Sequence, residues 1–297
     1  MPSETICILG GSGFVGSHIA AKLSKNKNVR VLSRNPRTNN DKHTTGQTEF
    51  VQTDVHDPEK LKQHLVGADA VINLIGILNE SGHDGSGFYQ AHVELAKKVA
   101  AACQSNNISR LLHMSALNAS TSGPSHYLRT KGEAEDFVHS LSMSNIHVTS
   151  FRPSVIFGPG DSFFNRFAQL LKYTPYIFPL ACAQAKFAPV YVGDVADRFI
   201  NALDNPSSYA KRIDLCGPHE YTLKELVEYT ASTLGLKRKV IGLPDTIARL
   251  QANLLEWVPG KPFSLDNYHS LQVDSICCDG VKESSQIEEI VPQYLRN

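Results

Sequence analysis

The sequence predicts an α/β protein built on a doubly wound parallel sheet, with a smaller C-terminal lobe. Three observations support this prediction. Short β-branched segments alternate with longer helical patterns in the first half, a glycine-rich turn follows the first segment, and after about residue 153 prolines and glycines divide the chain into shorter elements. Alternation of strands and helices is typical of right-handed βαβ units, whose strands lie side by side in one parallel sheet.

The individual elements follow from hydrophobic periodicity. The predicted strands of the first half lie at 6–9, 29–32, 50–52, 70–74, 111–114 and 148–151. The helical patterns between them lie at 14–26, 58–66, 87–106 and 128–143. The second half predicts helices at 194–203, 222–234 and 245–258 and strands at 212–216 and 239–242. We therefore expect a sheet domain over 1–152 and a smaller substrate or partner lobe over 153–297, parts of which return to the sheet.

Composition excludes several classes of protein. Of 297 residues, 41% are apolar and 20% are charged, which is typical of a globular chain. Lys plus Arg equals Asp plus Glu at 29 each, so no global basic field favours nucleic acid as a partner. The longest apolar stretch, 68–78, is about half the ~20 residues of a membrane helix, and no signal peptide is recognisable. We expect a cytoplasmic protein without a transmembrane segment; a peripheral position at the inner membrane is the alternative.

The cysteines and histidines predict neither a disulfide framework nor a metal site. No two cysteines have the CxxC spacing, and the twelve histidines form no metal-ligand grouping. We expect free thiols in a reducing compartment, with a redox-active vicinal pair as the alternative for Cys277 and Cys278.

The glycine-rich turn predicts a phosphate-binding loop. It follows the first strand and opens the first helix with the spacing GxxGxxG. Gly10 permits the tight turn, Gly13 lets the backbone approach a pyrophosphate, and Gly16 lets the helix pack closely on the strand. Free N–H groups and the dipole of the helix attract the anion. This arrangement indicates a doubly wound Rossmann parallel sheet that binds a nicotinamide dinucleotide. The candidate residues here are Gly10, Ser12, Gly13, Phe14, Val15 and Gly16.

The end of the second strand predicts which dinucleotide binds. NAD sites place an Asp or Glu there for the ribose hydroxyls, but no acidic residue occurs between Thr5 and Asn40. The strand instead ends in Ser33 and Arg34, with Arg37 nearby. A guanidinium can bind a 2′-phosphate with two hydrogen bonds, whereas a carboxylate would repel it. We therefore expect NADP(H) to be preferred, with NAD(H) as the alternative.

Two further strand ends add candidate cofactor residues. We expect Asp54, the acid after the third strand, to face the adenine. The backbone of 73–76, after the fourth strand, should pass the adenine ribose. Asp54 has the alternative role of capping a turn. The candidates at these ends are Asp54, Val55, Asn73, Leu74 and Gly76.

A Ser, Tyr and Lys set predicts proton-transfer chemistry. Tyr127 and Lys131 are four residues apart at the start of a helix, so both side chains lie on one face. A cation beside a phenol lowers its pKa, which makes Tyr127 a candidate general acid or base. The ammonium of Lys131 can also hydrogen-bond the nicotinamide ribose. Ser115 ends the preceding strand and can hydrogen-bond a substrate carbonyl at the same sheet edge.

These motifs resemble a known family. The glycine turn, Asn73–Gly76, Ser115 and the YxxxK pair are similar to the extended and atypical short-chain dehydrogenases/reductases. The segments 127–131 and 152–161 resemble the branch that contains the nucleotide-binding accessory subunit of respiratory complex I and its stand-alone bacterial relatives. That resemblance implies NADPH binding, with Pro153, Ser154 and Val155 bordering the nicotinamide. It also implies a structural role in mitochondria, and a related branch is linked to ubiquinone biosynthesis.

The sequence departs from the sugar-nucleotide epimerases of the same family. The segment between Ser115 and Tyr127 is short and filled with small residues, and the acid after the second strand is absent. We therefore expect an NADP(H)-dependent oxidoreductase whose small-molecule substrate is a carbonyl or quinone-like compound. The alternative is a non-catalytic protein that holds NADPH for a respiratory-complex or ubiquinone pathway.

The helical pattern at 245–258 carries an apolar stripe that does not belong to the predicted site. Ile247, Leu250, Leu254 and Leu255 follow helical spacing, and Trp257 lies near the end. Core packing is the default expectation for such a stripe. Contact with a protein partner or a membrane surface is the alternative.

Overall fold

The computed structural model describes residues 4–35, 47–141, 145–258 and 261–296. Arg37 lies outside the described residues. The strands in chain order are β1 (Thr5–Leu9), β2 (Asn28–Ser33), β3 (Thr48–Gln52), β4 (Ala70–Asn73), β5 (Arg110–Met114), β6 (His147–Pro153), β7 (Ile156–Phe157), β8 (Ile177–Leu180), β9 (Lys186–Phe187), β10 (Val190–Tyr191), β11 (Lys211–Cys216), β12 (Tyr221–Thr222), β13 (Lys239–Gly242) and β14 (Val281–Lys282).

The helices cover the sheet and build the lobe. They are α1 (Phe14–Leu23), α2 (Pro58–His64), α3 (Ser86–Tyr89), α4 (Leu95–Ser105), α5 (His126–Ser140), α6 (Phe163–Tyr173), α7 (Val192–Leu203), α8 (Leu223–Thr233), α9 (Asp245–Leu255), α10 (Leu265–Ser270) and α11 (Ile287–Leu295). A π-helical turn, Gln90–Glu94, joins α3 to α4, and a short 3₁₀ helix occupies Pro206–Ser208.

The main sheet has eight strands in the order β14-β11-β6-β5-β4-β1-β2-β3, and every pairing in it is parallel. Strand order reverses at β1, which lies between β2 and β4. In doubly wound folds the crevice for a ligand opens at this switch point, outside the carboxyl ends of the strands.

Helices cover both faces of the sheet, so the predicted doubly wound architecture is confirmed. On one face α1 and α7 pack against the strands in a core that includes Ile19 and Phe199. On the other face the core joins α2, α4 and α5, through residues such as Leu61, Val99 and Val138. All residues of β4 and β5 are buried as a result. This burial on both sides explains their continuous apolar sequence.

The second half of the chain is divided between the sheet and the lobe. β11, α7 and β14 complete the sheet and its covering layer, whereas α6, α8, α11 and the short strand pairs form the lobe. β8 pairs with β13 and β7 with β10, each in parallel, and β9 pairs with β12 antiparallel. None of the helices that the structure describes combines the length and apolar character needed to cross a membrane.

The expectation of free thiols is wrong for two cysteines. Cys216, the last residue of β11, forms a disulfide with Cys277, and both are buried. Tertiary packing joins them across 61 residues of sequence, so no short spacing pattern could indicate the pair. Cys278 is exposed and free, which excludes the vicinal alternative.

The core packing expected for the apolar stripe at 245–258 is also wrong for most of its residues, although Leu255 is half-buried. α9 turns Ala248 and Ala252 into the protein, whereas Ile247, Leu250 and Leu254 are exposed. Small alanines allow the helix to lie close to Ala181 and Tyr268, so the larger apolar residues are not needed for packing.

Candidate active site

The glycine turn forms a cradle that fits a pyrophosphate. Gly10 has φ +80°, a backbone conformation that favours glycine, and its carbonyl accepts a hydrogen bond from Gly13 N at 3.0 Å. A Cβ on Gly16 would lie 2.5 Å from Gly11 Cα, so only glycine fits there. α1 begins after Gly13 without a capping side chain or an acid in its first turn. Its first N–H groups, including those of Phe14 and Val15, are therefore available to an anion.

The end of β2 lies beside this turn and holds a basic pocket. Ser33 Oγ and Ser12 Oγ are 2.7 Å apart, which joins the strand end to the glycine turn. Arg34 lines an open pocket of about 500 Å³. The other lining residues are Gln52, Thr53, Asp54, Lys60, Gln63 and His64. The structure therefore brings Lys60 of α2 to the predicted 2′-phosphate position, a cation that the sequence reasoning did not identify.

Asp54 shares this pocket, but part of its carboxylate is committed to the local turn. Its Oδ1 accepts a hydrogen bond from His56 N at 3.0 Å. The adjacent Thr53 Oγ1 is buried without a hydrogen-bond partner among the described residues, so it is free to bond a ligand. Val55 is buried in the core between the sheet and α2, which makes it a support of the pocket.

The end of β4 approaches the glycine turn and the catalytic helix. Leu74 N donates to Leu9 O at 3.1 Å, and Asn73 Oδ1 accepts from Ile75 N at 3.2 Å. A Cβ on Gly76 would lie 2.8 Å from Lys131 Nζ. The predicted cofactor residues after β4 therefore lie next to Lys131.

His92 joins this segment to α5, and the sequence reasoning missed it. Its Nε2 accepts from Ile77 N at 3.2 Å, so Nδ1 carries the proton and donates to Thr130 Oγ1 at 2.9 Å. Burial, with a smaller contribution from the charge of Lys131, lowers the pKa of His92 to about 2. The ring is therefore neutral and holds the segment after Gly76 against α5. Its place on a π-helical turn gives no recognisable signal in the sequence.

The start of α5 is fixed by two caps. Ser125 Oγ accepts from Leu128 N at 3.1 Å, and the Asp266 carboxylate accepts from His126 N at 2.6 Å and from Tyr127 N at 3.2 Å. Asp266 belongs to α10. The lobe therefore holds the helix that presents the candidate catalytic side chains.

Tyr127 and Lys131 occupy one face of α5 as predicted from their spacing, but their environments differ from the expectation. Lys131 is buried and its Nζ donates to Met114 O at 3.0 Å. Burial, partly opposed by Glu135, lowers the pKa of Lys131 to about 8. Burial and the Asp266 carboxylate raise the pKa of Tyr127 to about 12. The phenol of Tyr127 is therefore protonated at neutral pH, and the expected lowering of its pKa is absent.

The hydroxyl of Ser115 directs its hydrogen bond to Glu135 and not towards Tyr127 or Lys131. Its Oγ donates to Glu135 Oε2 at 2.5 Å. The Glu135 side chain is only 1% exposed and binds Arg152 Nε at 2.9 Å and Arg212 Nε at 2.7 Å. In the described structure no hydrogen bond links the side chains of Ser115, Tyr127 and Lys131 to one another. The Glu135 cluster, defined as Glu135, Arg152 and Arg212, was missed, although Glu135 lies four residues beyond Lys131.

The segment Pro153, Ser154 and Val155 connects the sheet edge to the lobe. Ser154 Oγ donates to Ser275 O at 2.7 Å, and Val155 O accepts from Val190 N at 3.0 Å. Pro153 is the last residue of β6, two strands from β4. The segment therefore lies at the carboxyl edge of the sheet. Over the residues that the structure describes, no group of three or more His, Cys, Asp or Glu side chains could hold a metal ion.

Comparisons with known proteins agree with this architecture. The sequence profile of the NAD dependent epimerase/dehydratase family matches residues 6–216. The chain is 28% identical to the mitochondrial NADH dehydrogenase (ubiquinone) 1 alpha subcomplex subunit 9 of Arabidopsis thaliana, over 97% of this chain and 74% of that protein. It is 30% identical to the Mus musculus protein of the same name, over 75% of this chain and 59% of that protein.

Two further proteins are also similar. A ceramide reductase of Caulobacter vibrioides is 26% identical, over 81% of this chain and 74% of that protein. The solved structure of an epimerase from Methanothermobacter thermautotrophicus superposes with a TM-score of 0.73 at 17% identity, over 94% of this chain and 89% of that one. At this identity the superposition supports the fold alone.

Proposed function

We propose that the chain, which belongs to the NAD dependent epimerase/dehydratase family, is an NADP(H)-dependent oxidoreductase acting on a small carbonyl or quinone-like substrate. One observation carries the proposal. A single sheet edge combines a glycine cradle without a capping side chain, a strand end with Arg34 in place of an acid, and the Tyr127 and Lys131 face of α5. Phosphate binding and proton transfer thus have candidate residues on the same edge.

The charges around the pocket at the end of β2 support a preference for NADP(H). Arg34 and Lys60 supply two cations, of which Lys60 also pairs with Asp57 at 3.3 Å. Ser33 and Thr53 supply hydroxyl groups close to them. Asp54 is the one acid that lines the pocket among the described residues, and its Oδ1 already accepts a backbone hydrogen bond. Such a site suits the added charge of a 2′-phosphate better than a free ribose hydroxyl.

The protonation states favour the reductive direction. A reduced nicotinamide bound at this edge would supply the hydride. Because its pKa is near 12, Tyr127 keeps its proton at neutral pH and can donate it to a substrate oxygen that gains negative charge. Lys131, with a pKa of about 8, is mainly protonated at neutral pH and can bind a ribose hydroxyl beside Gly76. Ser115 can polarise a carbonyl only if its hydroxyl rotates away from Glu135.

That last contact favours a second candidate function. Because the Ser115 hydroxyl donates its hydrogen bond to Glu135, it stabilises the interior of the protein and is not available to polarise a substrate carbonyl. A protein that holds NADPH permanently, as a structural or assembly component of a respiratory complex or ubiquinone pathway, needs the cradle but not a free Ser115. The names of the Arabidopsis and mouse relatives agree with a protein partner of that kind, and the name of the Caulobacter relative agrees with a reductase.

Turnover distinguishes the two candidates. The purified protein is incubated with NADPH and a panel of quinones and small ketones while the absorbance of reduced nicotinamide is followed. An oxidoreductase is expected to oxidise NADPH with at least one of these compounds and to release NADP⁺ after each cycle. NADPH that stays bound and is oxidised by none of them would favour the holding function.

Replacing Arg34 with Asp tests the cofactor preference. Wild-type protein is expected to bind NADPH more tightly than NADH. In Arg34→Asp, a charged hydrogen bond becomes a repulsion, so NADPH binding should weaken about ten- to a hundredfold while NADH binding changes little. Calorimetric titration with both nucleotides measures the effect.

Lys25→Asp serves as the matched control for this substitution. Lys25 is exposed and lies in the turn between α1 and the start of β2, at the amino ends of the parallel strands. The same change of charge there is far from the carboxyl ends of the strands and should leave both affinities unaltered. Equal affinity of the wild type for NADPH and NADH would contradict the preference.

A further inference from the structure

The exposed side of α9 is an unusual surface for a helix that packs on a globular lobe. Its apolar residues are Ile247, Leu250, Leu254, Trp257 and Val258, exposed by 49%, 58%, 64%, 74% and 43%. We call these five residues the α9 face. They share one side of the helix and its C-terminal turn, while Ala248 and Ala252 are buried on another side. A cluster of large apolar side chains at this exposure marks an interaction site.

The α9 face adjoins the segment that leaves the candidate active site. The ring of Trp257 stacks on His83 at 4.8 Å, and His83 Nδ1 lies 3.0 Å from Glu256 Oε1. Leu78, which is 60% exposed, belongs to the same segment after β4, and its carbonyl accepts from Asn267 Nδ2 at 3.2 Å. The apolar surface therefore borders the segment that follows β4 and lies near α10, whose Asp266 caps α5.

The surroundings of the α9 face are basic. No Asp or Glu occurs between Asp161 and Asp194 or between Glu228 and Asp245. These acid-free segments include β8 and its partner strand β13, which directly precedes α9. They carry exposed cations at Lys172, Lys237 and Lys239, and α9 itself carries exposed Arg249.

The acids close to α9 are already engaged. Asp245 Oδ1 accepts from Tyr268 Oη at 2.5 Å, and Glu256 is paired with His83. Both carboxylates keep their negative charge, so the positive charge that an anionic partner would meet comes from the acid-free segments and Arg249.

Exposed aromatic residues accompany these cations. Tyr173 and Tyr176 are 87% and 81% exposed and lie just before β8. Ile177 and Ile241 are exposed on the β8–β13 pair, so apolar groups also occur on the two-stranded sheet whose second strand precedes α9. Trp and Tyr with flanking Lys and Arg are typical of groups that lie at the headgroup level of a bilayer.

The extent of the surface favours a bilayer over a protein. A stable protein interface takes about 20–30 residues from each partner with a well-packed apolar core. The α9 face has five apolar residues, and the segments before β8 and β13 carry exposed lysines, a group that protein interfaces disfavour. Adsorption to a bilayer needs only an amphipathic helix with cations beside it.

We propose that the α9 face binds the surface of an anionic bilayer, with α9 lying in the interfacial plane. The apolar side chains enter the boundary between headgroups and acyl chains, and Arg249 with the lysines of β13 and α6 contacts the lipid phosphates. This binding holds whether or not the candidate site turns over a substrate, so it is tested separately from the proposed function.

Trp257 reports on the binding directly because it is the one tryptophan of the chain. The protein is mixed with vesicles of phosphatidylcholine alone and of equimolar phosphatidylcholine and phosphatidylglycerol. With the anionic vesicles we expect co-flotation and a blue shift of the tryptophan emission, both reduced by added salt. With phosphatidylcholine alone we expect much weaker binding.

Leu250→Glu and Leu254→Glu should each weaken binding to the anionic vesicles at least about tenfold, because each removes apolar area and adds repulsion. Asn253→Glu adds the same charge on an exposed position outside the α9 face and should retain most of the binding. The melting temperature of all three variants should match the wild type, since the replaced side chains are exposed.

Three results would overturn the proposal. The first is the absence of wild-type binding to anionic vesicles, and the second is binding that Leu250→Glu and Leu254→Glu leave unchanged. The third is a wild-type dimer in solution that ignores vesicles and that Leu250→Glu converts to a monomer, which would make the face an interface between two copies of the chain.

Discussion

Replacing Glu135 with alanine is expected to destabilise the protein by about 3 kcal/mol, at the lower end of the range for breaking a buried ion pair. The substitution leaves Arg152 and Arg212 without their shared carboxylate and Ser115 without its acceptor. Both arginine side chains are partly exposed, at 26% and 36%, so water can compensate some of the loss. The free energy of unfolding is measured by urea denaturation.

Two variants show whether the loss comes from the Glu135 cluster. Glu133→Ala removes an exposed carboxylate two residues away on the same helix and should change stability by less than about 0.5 kcal/mol. Glu135→Gln keeps the shape but not the charge and should lie between the wild type and Glu135→Ala. If Glu135→Ala were as stable as Glu133→Ala, the cluster would not be a stabilising centre.

The expected size of the effect follows from how many elements meet at this carboxylate. Glu135 lies on α5, Ser115 follows β5, Arg152 lies on β6 and Arg212 on β11. A single buried charge thus connects the first half of the chain to a strand supplied by the second half. Removing it also frees the Ser115 hydroxyl, which links the stability of this region to the chemistry of the candidate site.

The sequence was sufficient for features that depend on local rules. The glycine turn, the ends of β1 and β2 and the pairing of Tyr127 with Lys131 on one helix face follow from spacing and strand periodicity. The six strands predicted in the first half all occur, with boundaries that differ by at most two residues. Each of these features depends on neighbours close in sequence.

Features that depend on distant partners could not be predicted in the same way. Arg212 reaches Glu135 because β11 returns to pair with β6, and Cys216 meets Cys277 for a similar reason. α9 has the periodicity of a core helix, yet two alanines make its packing contacts. The pKa of Tyr127 is raised by its burial and, to a smaller extent, by Asp266, which lies 139 residues away and caps its helix. Charge, burial and orientation at the site are therefore tertiary properties.

Replacing Tyr127 with phenylalanine is expected to lower NADPH oxidation by about 10²-fold or more while leaving NADPH affinity unchanged. The variant loses the proton donor, and a positioned general acid usually contributes on this scale. The ring keeps its edge contacts with Phe88 and His92, at 6.0 and 5.6 Å, so the fold and the neighbouring Lys131 should be retained. Turnover is followed with the quinone and ketone panel, and affinity by calorimetry.

Tyr173→Phe removes the same hydroxyl from an exposed position and should leave turnover and affinity unaltered.

The comparison of wild type with Tyr127→Phe also decides between an enzyme and a protein that holds NADPH permanently. An enzyme must exchange its nucleotide in every cycle, whereas a holding protein gains stability as RT ln(1 + [L]/Kd) from a ligand that it rarely releases. If wild type and Tyr127→Phe both retain NADPH through dialysis and neither oxidises it with any substrate, Tyr127 has no catalytic role and the cofactor is structural.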